Sequence, residues 1–246
     1  MLSDFDIKLP ATLEEALKDM AASAPNVAAV AGGTNVVPDL RSGRHTPPMI
    51  VDISHLKELK GISLKDGKVR INAGTTIADL LHSDVITEHA PSLFAAAKVF
   101  ASPLVRNRAT IAGNLCPASP CADMGCSLLA LGASVELGSA DGVRVIPLKD
   151  FFTGPKKTQI KKHEVLLRII VPVEMAGAKF GMRKLKRIKG HDIAVASVAM
   201  ARTAKVMRIG VGSAAPTPVV TADLAASTTL EKAVAAAEKV ICPIDD

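Results

Sequence analysis

Two hydrophobic periods alternate along this chain. In Thr12–Ala22 (TLEEALKDMAA), Leu13, Ala16, Leu17 and Met20 recur at helical spacing, and Thr12 with Glu15 forms a capping-box signature. The apolar run Val27–Ala31 reads as a short buried strand ended by Gly32-Gly33, and Met49–Ile53 as a second strand. Val69–Ala73 (VRINA) alternates as a half-buried strand should. Thr76–Leu81 opens a helix, and Leu93–Val99 belongs to another. ATIAGNLCPASPCADM, rich in small residues and turn formers, reads as a loop before the apolar Ser127–Leu131. Val135–Leu137 and Val143–Ile146 flank Ser139-Ala140-Asp141-Gly142 and predict a hairpin. Val165–Val171 is a strand stopped by Pro172, and Glu174–Ala178, with Gly177, marks a boundary. Ile193–Ala201 and Val206–Val211 pair as strands of a second unit, and Leu224–Val240 is Ala-rich and helical. Helix and strand are mixed without a regular βαβ cadence.

Composition narrows the function classes. The 246 residues suffice for one large domain or two smaller ones. Aromatics are only 2%, six Phe with no Trp or Tyr, so the core is aliphatic and a base-stacking nucleic-acid surface is excluded. The net charge of +6 fits an anionic partner. Asp4, Asp6 and Lys8 interrupt any leader, and no uncharged run approaches the ~20 residues that span a bilayer. The expected location is the cytoplasm, without membrane insertion. There, Cys116, Cys121, Cys126 and Cys242 are free thiols, and no metal site is expected. The basic run Lys179–Lys189 reads as a solvated strand edge, a phosphate-neutralising surface or a subunit contact. His191 and Asp192 would point to opposite faces of a strand, so no catalytic pair is assigned.

The candidate chemistry lies in two glycine loops. Gly32-Gly33 follows a strand, bares its backbone, and is trailed by the side-chain donors Thr34 and Asn35. Consecutive N–H groups at such a turn cradle an anion such as a pyrophosphate. The spacing is not the G-x-G-x-x-G of a Rossmann fold. Roughly 80 residues later, Thr110-Ile111-Ala112-Gly113-Asn114 repeats the hydroxyl, bare glycine and amide, and Asp123 follows as an acceptor for ligand hydroxyls. Two such loops suit a long ligand with phosphates in its middle.

AGGTNVVPDLR, RNRATIAGNLCPASPCAD and FFTGPKKTQIKKHEVLLRIIVP together resemble the FAD-binding medium subunit of the molybdenum hydroxylases. That family includes the xanthine dehydrogenases, carbon monoxide dehydrogenases and 4-hydroxybenzoyl-CoA reductases. The resemblance runs from residue 1 to about 215. It implies an α+β fold with a vanillyl-alcohol-oxidase (PCMH)-type FAD-binding domain over residues 1–173, built of α/β subdomains at about 1–55 and 56–173. A small, shortened α+β unit over 178–246, lacking the usual final helix, would follow. It also implies FAD contacts. Ala29, Val30, Ala31, Gly32, Gly33, Thr34, Asn35 and Val36 match the first FAD segment. Thr110, Gly113 and Asn114 match the second. Asp123 falls near the flavin side chain, Phe100 against the adenine, and Leu166 and Lys184 at apolar and basic flavin-site positions. Asn35 stands where an acidic residue is common, and Ala112 where a second glycine is common.

The implied function is electron transfer through FAD, between [2Fe–2S] clusters on a small subunit and an acceptor or donor such as NAD. The implied substrate chemistry takes place on a large subunit carrying a molybdenum cofactor. No catalytic residue is expected on this chain. Two rivals are a self-sufficient flavoenzyme resembling UDP-N-acetylenolpyruvoylglucosamine reductase and a non-enzymatic basic binding module.

Overall fold

The computed structural model describes residues 4–173 and 179–244. The boundary expected at Glu174–Ala178 lies outside the described residues. Three parallel strands open the chain: β1 (Asp6–Lys8), β2 (Val27–Val30) and β3 (Met49–Asp52), in the order β1-β3-β2. Between them run α1 (Leu13–Ser23) and α2 (Val36–Arg41). Thr12 caps α1 by accepting from the Glu15 N–H at 3.2 Å. The Glu15 carboxylate accepts from the Ala11 N–H at 2.7 Å instead of completing the box at Thr12. Ala16 and Met20 are the buried residues of α1, facing Val27, Val51 and Leu167 in one apolar cluster.

The central sheet is antiparallel. It contains β4 (Ile62–Lys65), β5 (Lys68–Asn72), β6 (Ser134–Ser139) and β7 (Gly142–Pro147). After the small hairpin β8 (Phe152–Gly154) and β9 (Lys157–Thr158) comes β10 (Val165–Pro172), which takes the middle place in the order β4-β5-β10-β6-β7. The β6–β7 hairpin turns at Ala140-Asp141, where the Ser139 hydroxyl accepts from the Asp141 N–H. A helical layer covers one face: α3 (Ile77–Leu81), α4 (Asp84–His89), α5 (Pro91–Val99), α6 (Pro103–Arg106), α7 (Ile111–Leu115), α8 (Asp123–Ala130) and α9 (Leu148–Phe151). Val69, Ile71, Val135, Leu137, Ile169 and Val171 meet Leu80, Leu93, Leu115 and Leu128 in the main core.

The last sheet has the order β11 (Lys179–Leu185), β12 (Ala196–Arg202), β13 (Val206–Gly212) and β14 (Val219–Val220), with β15 (Leu224–Ala225) also on β13. All eight residues of α8 are buried, because the helix packs against α5, α7 and this sheet. A Cβ on Gly210 would overlap the Cys126 carbonyl, so glycine permits that approach. Met182, Ala199 and Ala201 accordingly join the main core. Ala233, on the helix Leu230–Glu238, covers the opposite face of β13 at Met207, Ile209 and Val211. Among the described residues no helix is long and apolar enough to cross a membrane.

Several expected elements differ. Leu224–Ala225 is strand, because β13 offers it a partner, and the helix begins only after the Thr229 cap. Strand β12 starts at Ala196, not Ile193, because the Asp192 carboxylate accepts from the Arg187 and Ile193 N–H groups and holds a turn. His191 and Asp192 therefore lie in a loop. The expected loop Ala109–Met124 contains α7 and the start of α8, with Thr110 capping α7.

Arg144 on β7 binds both oxygens of Glu164, at 2.7 and 2.8 Å, and also the Gln159 carbonyl. Burial pushes the Glu164 carboxyl up, but the Arg144 guanidinium and the Lys161 N–H outweigh it and hold the group below its ordinary value. Such a group stabilises the fold above its unfolded value of about 4.3, and the contribution disappears as pH falls through the folded value. Glu164→Gln should lower unfolding stability near neutral pH by roughly 1–3 kcal/mol. Urea unfolding across the acid range should show the difference from the parent chain shrinking as pH falls. A difference independent of pH would contradict this.

Candidate functional site

Strand β2 ends at Val30, whose carbonyl accepts from the Ile53 N–H at 2.9 Å. Gly33 then takes φ +72°, a left-handed conformation that favours glycine. Gly32 lies against the backbone of the second loop: an added Cβ would overlap the Arg108 carbonyl and lie 3.2 Å from the Ala109 Cα. The two glycine loops are thus brought together. The Val37 N–H closes back onto the Gly33 carbonyl at 3.0 Å and starts α2. No described residue accepts from the N–H groups of Gly32, Gly33, Thr34 or Asn35. Thr34 and Asn35 are exposed, and Asn35 makes no capping bond. Four successive donors therefore remain available beside a backbone without Cβ atoms at Gly32 and Gly33.

The second loop is built differently. The N–H groups of Ile111 and Ala112 donate to Thr75 and Ala73, and the Ala109 carbonyl accepts from Ile77. Gly113 donates to the Thr110 hydroxyl at 3.0 Å, and Asn114 to the Thr110 carbonyl. All four of these N–H groups are internally bonded, so the likeness between the loops does not extend to free backbone donors. The Asn114 side-chain oxygen accepts from the Met124 N–H at 3.1 Å and fixes the start of α8.

That start carries Asp123. Its Oδ2 accepts from Lys184 Nζ at 2.8 Å, and the two side chains are 9% and 3% exposed. Lys184 Nζ also reaches the Val99 carbonyl at 3.4 Å. Asp123 Oδ1 is buried with no partner among the described residues. Burial raises the Asp123 carboxyl above its ordinary value, against the opposing pull of Lys184 and Lys186. Lys186 itself is turned to the Gly190 carbonyl, so Lys184 is the lysine that meets Asp123.

Phe100 follows α5, half-buried at the edge of the main core. Leu166 lies within that core on β10, beside a bulge in its pairing with β6. Ala29 and Ala31 pack in the N-terminal cluster. Three supporting roles had no assignment from sequence. The Arg108–Ala109 backbone receives Gly32. Arg106 donates to the carbonyls of Lys98, Phe100 and Ala101 and secures the Phe100 turn. Ser213, at φ +60°, donates its N–H to the Pro120 carbonyl and holds the approach to α8. The Arg-Asn-Arg run before Ala109 was a visible signal for the second of these.

A profile described as "FAD binding domain in molybdopterin dehydrogenase" matches residues 3–174. The chain belongs to this family. It is 35% identical to the xanthine dehydrogenase FAD-binding subunit of Escherichia coli O157:H7, over 85% of this chain and 74% of that protein. It is 30% identical to the carbon monoxide dehydrogenase medium chain of Afipia carboxidovorans, over 98% of this chain and 88% of that one. Superposition on the crystal structure of a Cu,Mo-CO dehydrogenase gives a TM-score of 0.93 at 30% identity, covering 100% of this chain and 90% of that one.

As an FAD-binding subunit of the molybdenum hydroxylases, the chain has residues that fit the cofactor on two counts. Available N–H groups at a bare glycine turn suit phosphate, and the unpartnered Asp123 oxygen suits a hydroxyl donor. The cysteines are scattered: Cys126 is buried against Ser197, Cys121 reaches the Ala194 carbonyl, and Cys242 is exposed. Burial pushes the Cys116 thiol up to about 12. Among the described residues no three metal-ligating side chains cluster.

The buried pair makes a thermodynamic prediction. Asp123→Ala should destabilise the chain by roughly 3–5 kcal/mol, because Lys184 is left charged and buried. Asp123→Ala with Lys184→Met should lose less than the single variant. Urea unfolding of both single variants and the double variant checks this, and strict additivity would contradict it.

Proposed function

We propose that this chain is the electron-transfer subunit of a multi-subunit molybdenum hydroxylase. It would connect [2Fe–2S] clusters on a small subunit with an external acceptor or donor such as NAD. Substrate chemistry would take place on the large subunit with its molybdenum cofactor. The single observation that carries the reading is the apposition of the two glycine loops, with free donors on one and Asp123 beyond the other. Bound FAD supplies exchange of one electron with a cluster and two with a hydride carrier.

The residues of this chain hold and orient that group. We assign the segment Ala29–Val36 to the pyrophosphate, with Gly32 and Gly33 giving access and Thr34 and Asn35 adding side-chain donors. Thr110 and Asn114 would contribute their remaining hydroxyl and amide protons, and Gly113 a surface without side chain. Asp123 would accept from a hydroxyl of the flavin side chain, while Lys184 fixes the carboxylate. Phe100 is assigned to the adenine and Leu166 to the apolar side of the flavin. The three larger sheets support a PCMH-type division into subdomains at about 1–55 and 56–173 and a C-terminal unit from 178. The four free cysteines fit a cytoplasmic complex.

Reconstitution tests the proposal. With FAD alone, the chain should pass electrons from a nicotinamide to a dye but turn over no organic substrate. Substrate turnover should appear only with the molybdenum and [2Fe–2S] subunits. Full turnover by the FAD-loaded chain alone would overturn it and favour a self-sufficient flavoenzyme.

A further inference from the structure

The first glycine loop offers an anion only neutral groups. Residues 30–36 (VAGGTNV) include no charged side chain. A pyrophosphate is doubly anionic, and hydrogen bonds to phosphate from a cationic donor are roughly twice as strong as neutral ones. The backbone that lies against the loop belongs to Arg108, whose carbonyl occupies the place of a Gly32 Cβ. That backbone is pinned: the Arg108 and Ala109 N–H groups both donate to the Val105 carbonyl, at 3.0 and 2.7 Å. The Arg108 side chain is exposed and makes no hydrogen bond or ion pair among the described residues. Most other arginines are engaged. Arg44, Arg144, Arg168 and Arg208 pair with carboxylates, and Arg106 donates to the carbonyls of Lys98, Phe100 and Ala101. Asp39, just after the loop, is the carboxylate that Arg44 holds, at 2.9 Å, so it does not compete for Arg108.

We propose that Arg108 binds the pyrophosphate of FAD, its guanidinium reaching from the second loop to the N–H row of Gly32–Asn35. The inference rests on the proposed assignment of that row to the pyrophosphate. Chemistry selects arginine: its planar fork gives parallel N–H donors that match phosphate oxygens, and its charge persists at any working pH. Position selects this arginine. Its long, flexible stem starts at the residue whose carbonyl touches Gly32, beside the N–H row. Arg41, also without a partner among the described residues, lies in the last turn of α2, at the end of that helix away from the loop. Lys184 is already held by Asp123. Arg108 thus supplies the cation that the loop lacks, and the site favours a flavin that carries a pyrophosphate over one without phosphate.

The test measures ligand affinity on the full chain freed of FAD, with FAD, ADP and riboflavin as probes. Arg108→Met should weaken FAD binding at least about tenfold, the loss expected of one charge-assisted contact. ADP, as a competitor of FAD, should lose a similar factor, and riboflavin, which has no phosphate, should lose none. Raising the salt should weaken FAD binding less in Arg108→Met than in the parent chain. Arg108→Lys, which keeps the charge without the fork, should recover part of the affinity. Urea unfolding of the flavin-free Arg108→Met chain should match the parent, because the side chain is exposed and bonded to nothing that the fold needs. Unchanged FAD affinity in Arg108→Met, with ADP still competing, would overturn the role of Arg108 and leave the loop assignment standing. Equal losses for FAD and riboflavin would also overturn it, since the effect would then lie away from the phosphates. Failure of ADP to compete with FAD on the parent chain would overturn both.

Discussion

The close approach of Gly32 to the Arg108–Ala109 backbone is the constraint on which the rest of the site depends. Any Cβ at Gly32 would overlap the Arg108 carbonyl, so the two loops meet only because residue 32 has none. The contact joins a parallel α/β unit to the helical layer over the central sheet. From there, hydrogen bonds to Thr75, Ala73 and Ile77 fix Thr110 and α7, and Asn114 fixes the first turn of α8. Asp123 is therefore positioned through hydrogen bonds that follow a close backbone contact made by a glycine roughly 90 residues earlier in the chain.

Helix α8 is the second element of this arrangement. Gly210 lets β13 approach the Cys126 carbonyl, and the C-terminal sheet thereby covers the helix alongside α5. One consequence is that the Asp123 carboxylate and the Lys184 ammonium are almost fully withdrawn from water. Breaking such a pair is more costly than its net contribution to stability is large. The unpartnered Asp123 oxygen adds a desolvation penalty that an incoming hydroxyl would relieve. Cofactor binding and folding are then linked, because a ligand that binds only the folded chain shifts the unfolding equilibrium towards it.

Much of the fold was legible in local pattern. The hydrophobic face of α1, the alternation of β5 and the turn chemistry of the β6–β7 hairpin each prescribe their own structure. Elements that depend on a distant partner were harder to read. Leu224–Ala225 looks helical in an Ala-rich tract, but β13 recruits it as strand. Strand β4 and helix α4 are short, and the small β8–β9 hairpin carries no strong periodicity. At the site, the residue types of both glycine loops were visible, but not the internal bonding that occupies the second loop's N–H groups. Nothing in the local sequence around Gly32 points to Arg108, since that contact is purely backbone.

The central claim is that the first glycine loop receives the cofactor through its backbone. Amide hydrogen exchange on the chain with and without FAD tests this directly. The account predicts strong added protection at Gly32, Gly33, Thr34 and Asn35 on FAD binding, with little change at Ile111–Asn114, whose N–H groups are already bonded. Full flavin occupancy with unchanged exchange at residues 32–35 would contradict it.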